Sequence, residues 1–571
     1  MRPLSIAGLL LAVNGLSLWA SSDVHAQVVI APTTPEIGSS NPVSADPPVP
    51  RPRSKPCTVP LLTNEAFADF NTKNFTYTPP AACPGPWAKV VLTADFTVTA
   101  GRQFDRTAQF FLGGANIYFG TTAEPRAALS PSWHVERDVT DLSAIFTSPQ
   151  AGTAILFNFV GVSAGVTYNG VIYGNAALEF YPASRFDEAP RTPDLVIGIP
   201  GNSGAATVNT TADPLTQTLT LPTNIESAYL DVVAQSQSND EFWYLCVPSD
   251  LANTLQSCGN TGFRETEVAI DGQPAGVAPV YPWIYTGGID PYLWEPIPDV
   301  QTLNFKPYRI DLTPFAGVLS NGKPHTLAIG VFNADSYFSV TGNLLFYLDP
   351  HSKQVTGAIV SNDLTASPQP QVLENVTVAA NGNASGPVSV TSTRRYSITG
   401  YVNTSHGRVE STVDQQIAFS NTQTFTINAT TYIQSLEQTT TVDAKTTTRD
   451  GFRTTEEGHV FSYPLRLEFS QTVNSDGSIA ALTKVDQQFL ENGVGRRDEM
   501  QISPVSTSNH VTSQDTLSFT AQGALTGHVG SSSQEYVTRD SDGDCHSRSL
   551  TSVNSVLTAY QDDAACHRHK W

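Results

Sequence analysis

Hydrophobic and polar residues alternate along most of this chain in short runs, which are separated by Gly, Pro, Asn and Asp. Clear runs of this kind occupy residues 90–98, 154–160 and 176–181. Such alternation is typical of half-buried β-strands, and turn residues at this spacing are typical of sandwiches and jelly rolls. Helical periodicity is almost absent. The pattern therefore predicts an all-β protein.

Shifts in composition divide the chain further. The positive charge of Arg2, a mostly apolar stretch at residues 6–18 and the small-residue cleavage sequence Val24-His25-Ala26 predict an N-terminal signal peptide. A Pro- and Ser-rich segment follows, and it predicts a semi-extended tether. The last third is rich in Thr, Ser and Gln, and is either one more β domain or a β extension packed on the second. The predicted parts are a signal peptide (1–26), a linker (27–56), two jelly-roll-like β-sandwich domains (57–195 and 196–353) and a β-rich C-terminal region (354–571).

Two local signals add detail to this plan. Asp271-Gly272 directly after a strand-like run is a strong signal for a two-residue hairpin. Gly161-Val162-Ser163-Ala164-Gly165 has the spacing of a nucleophile elbow, but the following residues predict another strand where an elbow requires a helix. We therefore interpret this string as a hairpin turn.

Six cysteines in a chain with a signal peptide predict disulfides, although six cysteines allow fifteen pairings. They form three couples that are close in sequence, which favours one local bond in each region. The expected bonds are Cys57–Cys83, Cys246–Cys258 and Cys545–Cys566.

The chain has 31 Lys and Arg against 52 Asp and Glu, a formal net charge of −21. This excess argues against nucleic acid or an anionic membrane as a partner. Together with the signal peptide and the lack of any later membrane-spanning run, it predicts a secreted protein, extracellular or periplasmic. Its pI near 4.8 suits an acidic medium.

Only 15% of the residues are charged, so acids placed among aromatic residues need an explanation. Asp105 stands where a loop becomes a strand, beside Arg106, and Glu124 lies in a turn-like segment that could bring a second acid close. Asp240 and Glu241 lead directly into three aromatic residues. A solvated strand end, a structural ion pair and a carboxylate that moves a proton are the alternatives. By alternation, we expect Glu241 to face a cleft and Asp240 to lie on the opposite face.

Residues 281–294 place five aromatic side chains around a Gly-Gly turn. Aromatic rings beside acids are typical of sugar-binding grooves, because pyranose rings stack on them. An aromatic core beneath a long loop would give the same pattern. The sequence leaves both alternatives open.

Several multi-residue blocks resemble the peptide-N-glycosidase A family, the glycoamidases of plants, fungi and acid-living bacteria. The Phe104-Asp105-Arg106 sequence is also similar to the corresponding strand of the flavobacterial peptide-N-glycosidase F. The resemblance implies two jelly-roll-like domains with the site between them, and hydrolysis of the Asn–N-acetylglucosamine amide in glycopeptides and glycoproteins without metal or cofactor. The blocks are residues 101–125, 133–142, 239–244, 262–270, 281–298 and 308–315.

The resemblance also implies roles for individual residues. Asp105 falls on the principal catalytic carboxylate, and Glu241 is our choice for the second. The third acid falls near Asn158, so either the alignment shifts here or Glu124 takes this role. The residues expected to bind substrate or to orient the reacting groups are Arg106, Asp240, Trp243, Arg264, Glu265, Trp283 and Trp294.

Two other classes of function fit parts of the pattern. A secreted glycan-binding module would use the aromatic residues without needing Asp105 beside Arg106. A glycosidase would use an acid pair on a sugar–sugar or sugar–Ser/Thr bond and leave any Asn unchanged. The histidines of residues 60–350 are His134 and His325, and they do not predict a three-ligand zinc site.

Overall fold

The computed structural model describes residues 34–163, 165–497, 500–539 and 545–562. The predicted signal peptide lies outside these ranges. Antiparallel strands dominate the described residues, so the all-β prediction is confirmed. None of the helices in these ranges is long and apolar enough to cross a membrane. The helical segments are α1 (Ala252–Leu255), α2 (Ala316–Leu319) and the 3₁₀ turns Thr140–Thr147, Ser238–Asp240, Trp243–Leu245, Pro291–Trp294 and Thr313–Phe315.

The first sandwich packs two four-stranded sheets face to face around a core of alternate inward side chains. A short separate hairpin, β8–β9, extends from it. The strands are β1 (Cys57–Phe67), β2 (Lys73–Tyr77), β3 (Trp87–Val98), β4 (Thr107–Leu112), β5 (Ala115–Thr121), β6 (Ser132–Asp138), β7 (Gln150–Leu156), β8 (Gly161–Ser163), β9 (Val166–Tyr168) and β10 (Ile172–Pro182).

The second sandwich has the same construction, with β12 pairing beside β11 on the same neighbouring strand. The hairpin predicted at Asp271-Gly272 joins β15 to β16, and this prediction is confirmed. The strands are β11 (Leu195–Ile199), β12 (Ala206–Val208), β13 (Leu215–Leu219), β14 (Ile225–Gln237), β15 (Glu265–Ile270), β16 (Gln273–Pro279), β17 (Tyr308–Asp311), β18 (His325–Phe332) and β19 (Tyr337–Leu348).

The strand order identifies both sandwiches as jelly rolls. We number the eight main strands of each in chain order, leaving out β8–β9 and counting β11 with β12 as one interrupted strand. One sheet then runs 1-8-3-6 and the other 2-7-4-5, in both sandwiches. Two interlocked Greek keys produce this order. The predicted fold class is therefore confirmed at the level of topology.

The C-terminal region forms one twelve-stranded antiparallel sheet, whose long strands follow one another as a meander. One face packs on the second sandwich and shares a hydrophobic core with it. Of the two alternatives, the packed extension is therefore correct. The strands are β20 (Thr356–Asn362), β21 (Gln371–Glu374), β22 (Thr377–Val378), β23 (Ala384–Thr404), β24 (Gly407–Ile427), β25 (Thr431–Asp450), β26 (Arg453–Val473), β27 (Ile479–Arg497), β28 (Met500–Phe519), β29 (Leu525–Arg539), β30 (Cys545–Val553) and β31 (Val556–Asp562).

The Pro-rich segment before β1 has no helix or strand over residues 34–56, as predicted, but it is bound rather than free. The Val43 amide donates to the Pro296 carbonyl at 2.8 Å. Arg51 forms an ion pair with Glu136 at 2.6 Å. The Ala45 amide donates to Gln534 Oε1 of the long sheet at 2.7 Å. This segment is therefore fixed across both sandwiches and the long sheet.

Two of the three expected disulfides are present, Cys57–Cys83 and Cys246–Cys258. The first crosslinks the start of β1 to the loop before β3. The second closes a short loop that begins five residues after Glu241, one of the candidate acids. The third expected bond includes Cys566, which lies outside the described residues.

Candidate active site

Two of the candidate acids are brought together by the β4–β5 hairpin. Thr107 pairs with Thr121 at the open end of this hairpin. Asp105 lies two residues before that pair and Glu124 three residues after it, so the register places both at one sheet end. The Asp105 amide donates to Glu124 Oε2 at 3.2 Å. The prediction that Glu124 lies near Asp105 is therefore confirmed in position.

The second sandwich supplies a backbone donor to this pair. The Gly287 amide donates to Asp105 Oδ2 at 3.0 Å. A Cβ placed on Gly287 would lie 2.0 Å from Glu124 Oε2 and 3.0 Å from Asp105 Oδ1. Glu124 Oε2 and Asp105 Oδ1 are therefore at most 5.0 Å apart, because their separation cannot exceed the sum of their distances from this Cβ position. Only a glycine leaves room for this convergence.

The third acid, Glu241, also comes from the second sandwich. It follows β14 and ends the Ser238–Asp240 3₁₀ turn, where its amide donates to the Ser238 carbonyl at 3.1 Å. The Ser236 hydroxyl donates to the Glu241 carbonyl at 3.3 Å. Both contacts hold the backbone and leave the carboxylate available. The charges of Asp105 and Glu124 act on it directly, so the three acids form one electrostatic cluster between the sandwiches.

All three carboxyl groups have raised pKa values. Burial is the main cause for each of them. Repulsion between the charges raises the pKa of Glu124 and of Glu241 further, each to about 8. The Gly287 amide and the Arg106 guanidinium oppose the upward shift at Asp105. Asp105 thus has a backbone amide that stabilises its charged form, while the two glutamates keep their protons near neutral pH.

This arrangement can perform general acid–base chemistry. The carboxyl oxygens of Asp105 and Glu124 lie within 5.0 Å of each other, and the charges of both act on Glu241. The site therefore combines a group that can accept a proton with groups that can donate one. All three residues are partly exposed, so a large substrate can reach them. The cavity of 590 Å³ between the second sandwich and the long sheet is lined by Tyr308 and contains none of the three acids.

Arg106 lies at the edge of the cluster. Its Nη1 donates to the Asp105 carbonyl at 2.8 Å, and its guanidinium covers the Phe104 ring at 5.0 Å. The side chain is partly exposed. Its expected role in orienting a substrate stays a prediction.

Asp240 and Arg264 do not face a substrate. Both side chains are fully buried and form an ion pair with an Nη2–Oδ1 distance of 2.8 Å. The second Asp240 oxygen accepts from the backbone amides of Asp335 and Ser336. Alternation along a strand, which we used to separate Asp240 from Glu241, does not apply because both lie in a 3₁₀ turn. The substrate-binding prediction for this pair is wrong, since neither side chain reaches the surface.

Glu265 is likewise part of the structure. It is buried where β15 meets the long sheet, and its Oε1 accepts from Arg394 at 2.5 Å. Burial raises the pKa of Glu265 to about 7 despite this partner. It joins the second sandwich to the C-terminal region and has no contact surface for a substrate.

The three tryptophans predicted to bind sugar are buried. Trp243, Trp283 and Trp294 are 1%, 4% and 2% exposed and belong to the core shared with the long sheet. Trp243 packs on Phe419, and Trp283 on Phe305. Of the two alternatives for this segment, the aromatic core beneath a loop is correct.

Asn158 is also structural. Its side-chain amide donates to the carbonyls of Phe67 and Gly170, both at 2.9 Å. This cross-link joins the end of β1 to the segment before β10. Asn158 is fully buried. Asn158 therefore lies outside the acid cluster, whereas Glu124 belongs to it.

The histidines of the first two sandwiches are held by neighbouring carboxylates. His134 lies between Asp95 and Glu136, and the two carboxylates raise the pKa of His134 to about 9 against the effect of burial. His325 contacts Asp271 at 2.6 Å. Within the ranges that the structure describes, no group of three or more His, Cys, Asp or Glu is placed to hold a metal ion.

Sequence reasoning missed Gly287. The Gly287-Gly288 pair was recognised as a turn, but not as a source of a backbone donor for Asp105. No local sequence pattern predicts this contact, because Gly287 and Asp105 are 182 positions apart. The available signal is the glycine itself, because a glycine among aromatic residues indicates that another part of the chain approaches its backbone closely.

Comparison with known proteins agrees with the sequence resemblance. The family model for peptide N-acetyl-β-D-glucosaminyl asparaginase amidase A matches residues 47–365, and the model for the PNGase A C-terminal domain matches 387–465. Peptide-N4-(N-acetyl-β-glucosaminyl)asparagine amidase A of Prunus dulcis is 31% identical over 396 residues, which cover 66% of this chain and 67% of that protein.

Solved structures with some similarity include PNGF-II, at 12% identity and a TM-score of 0.36, covering 52% of this chain and 66% of that one. PNGase F, a glycosylasparaginase from Flavobacterium meningosepticum, has 12% identity and a TM-score of 0.33. The match covers 52% of this chain and 96% of that one.

Proposed function

The chain belongs to the peptide N-acetyl-β-D-glucosaminyl asparaginase amidase A family, and from this premise we propose that it hydrolyses the amide bond between Asn and the first N-acetylglucosamine of N-linked glycans. Its substrates are then N-glycosylated peptides and proteins. The observation that carries the proposal is the convergence of Asp105, Glu124 and Glu241 between the two jelly rolls, where the Gly287 amide donates to Asp105 and the two glutamates have pKa values of about 8.

The reaction needs an activated water and a proton for the leaving nitrogen. Asp105 accepts a proton from water as its oxygen attacks the carbonyl carbon of the Asn side chain. Glu124 or Glu241, still protonated, donates a proton to the nitrogen as the carbon–nitrogen bond breaks. The glycosylated Asn of the peptide becomes Asp, and the sugar leaves as a glycosylamine. Arg106, at the edge of the cluster, supplies positive charge beside the developing oxyanion.

The electrostatics imply a pH dependence for this mechanism. The acid function of Glu124 and Glu241 is lost as the pH rises through about 8, the pKa of both groups. Activity should therefore be confined to the range below about pH 8, where these two groups keep their protons. This range suits an exported enzyme, and we propose export on the strength of the N-terminal sequence.

Product analysis in labelled water tests the proposal. A glycopeptide incubated in H₂¹⁸O should yield a deglycosylated peptide with Asp in place of Asn and one ¹⁸O in the new carboxyl group. A glycosidase would leave Asn in the peptide, and a glycan-binding module would leave the glycopeptide intact. Either result would reject the proposal.

The variant Asp105→Asn provides the mechanistic control. It removes the proton acceptor and preserves shape, so turnover should fall at least ~10²-fold while the fold is retained. Circular dichroism and the melting temperature check the fold. Turnover close to wild type would remove Asp105 from the mechanism.

A further inference from the structure

Five aromatic side chains form a continuous strip on the first sandwich. Their ring centroids follow one another at 5.0 to 6.2 Å, from the loop before β4 across β9 and the loop before β2 to the end of β7. Phe70 is 63% exposed and Phe157 is 42% exposed. A contiguous exposed apolar patch on a protein usually marks an interaction site, whereas single exposed apolar residues do not. In spatial order the strip consists of Phe104, Tyr168, Phe159, Phe70 and Phe157.

The strip begins at the acid cluster. Phe104 directly precedes Asp105, and its ring lies 5.0 Å from that of Tyr168. The loop that carries Phe104 is fastened to the end of β9, where the Arg102 amide donates to Asn169 Oδ1 at 2.8 Å. The Gly170 amide returns a bond to the Arg102 carbonyl at 3.1 Å. A chain whose glycosylated Asn reaches Asp105 can therefore extend along these rings.

The β8–β9 hairpin contributes a backbone edge beside the strip. Each of its strands pairs only with the other among the residues that the structure describes. Val162, on β8, is 67% exposed. Its outer edges can accept an extended peptide by strand addition, in which backbone hydrogen bonds supply affinity and side-chain contacts supply selectivity.

The chemistry of the surface favours polypeptide over glycan. A sugar needs free ring faces together with polar side chains for its hydroxyl groups. The guanidinium of Arg106 already covers the Phe104 ring, and that of Arg102 covers Tyr168 at 5.5 Å. Farther along, Phe70, Phe157 and Val162 present apolar groups.

We propose that this strip binds apolar side chains of the polypeptide next to the glycosylated Asn, so that the enzyme selects extended, apolar-flanked glycopeptides. The inference rests on the proposed glycoamidase function and specifies its substrate class. Selection of this kind favours unfolded chains, because a folded glycoprotein buries its apolar residues.

Paired glycopeptides test the inference. Both carry the same glycan; one has Phe and Leu beside the Asn, and the other has Ser and Gly. Wild-type enzyme should cleave the apolar peptide with a kcat/KM about tenfold higher, mainly through KM, as expected for one or two aromatic contacts. Phe70→Ser and Phe157→Ser should remove this preference and leave cleavage of the Ser/Gly peptide within about twofold of wild type.

Phe452→Ser is the matched control. Phe452 is a fully exposed phenylalanine in the turn between β25 and β26, far along the chain from the acid cluster. Its replacement should leave the preference between the two peptides intact. Equal loss in all three variants would attribute the effect to general apolar surface and overturn the inference.

Inhibition experiments distinguish the two candidate ligands of the strip, an apolar peptide and a glycan. The unglycosylated apolar peptide should inhibit the wild-type enzyme and lose about tenfold in potency against Phe70→Ser, whereas the free glycan should inhibit both equally. The opposite result would assign the strip to the glycan and refute the inference. Cleavage of both peptides at equal rates would also refute it while the proposed function stands. Absence of cleavage of either peptide would reject the proposed function itself.

Discussion

Replacing Gly287 by Ala tests the geometry of the acid cluster without removing any charge. The added Cβ would lie 2.0 Å from Glu124 Oε2, whereas ordinary contact begins at 3.4 Å. The Glu124 carboxylate must therefore move by about 1.4 Å, and Asp105 must also yield. Misplacement of a catalytic group by about 1 Å can cost ~10²-fold in rate, so we expect kcat to fall about a hundredfold.

Steady-state kinetics on one glycopeptide measure this loss, and thermal unfolding separates it from instability. The melting temperature should change little, because Gly287 is partly exposed and its φ angle is one that alanine adopts readily. Gly288→Ala is the matched control, since its Cβ would meet Tyr285 O at 3.1 Å and no carboxylate. Near-normal kcat in Gly287→Ala, or an equal loss in Gly288→Ala, would refute this account of the site.

Three further predictions concern neighbouring features of the structure. Asp240→Asn should destabilise the protein by about 3–5 kcal/mol, because it leaves the buried charge of Arg264 without its counter-ion. Glu241→Gln should instead reduce kcat with little change in melting temperature, and the reverse pattern would contradict the assignment. Stability should fall as the pH rises from about 4.5 to 8, because the folded pKa of Glu124 lies above its unfolded value of 4.5 and the unfolded chain releases the proton first. Glu124→Gln should reduce that slope by up to about 1.4 kcal/mol per pH unit, and an unchanged slope in urea titrations would refute the shift. Dialysis against EDTA should leave full activity; loss that one specific metal restores would reject catalysis by carboxylates alone.

The sequence could predict those parts of the fold and site that depend on local pattern. Alternation and turn residues indicate the strands, and the spacing of the turns is typical of sandwiches and jelly rolls. Asp105 and Glu124 were placed together correctly because a single hairpin joins them. Two residues that flank the open end of one tight hairpin lie close together in the folded protein.

Residues whose environment comes from distant parts of the chain could not be predicted in this way. Trp283 and Trp294 resemble exposed sugar platforms until the long sheet, which begins some 60 residues later in sequence, covers them. Asp240 resembles a free acid until Arg264 and the amide of Asp335 enclose it. Burial is a property of the assembled fold, and single-sequence patterns report only which face is apolar.

The long C-terminal sheet contributes to the chemistry without supplying an acid. The loop that carries Gly287 continues into a 3₁₀ turn, where Tyr292 stacks on His528 of the sheet at 3.9 Å and the Leu293 carbonyl accepts from Ser513 at 2.8 Å. Arg126 also packs on this turn, with its guanidinium 4.3 Å from the centre of the Tyr292 ring. Because the charge of Arg126 opposes the upward shift in the pKa of Glu124, the position of the turn affects proton affinity as well as geometry. The sheet thus helps to fix the Gly287 amide, which donates to Asp105, and Arg126, whose charge lowers the pKa of Glu124. These contacts are a physical reason for the C-terminal region to remain joined to the two sandwiches.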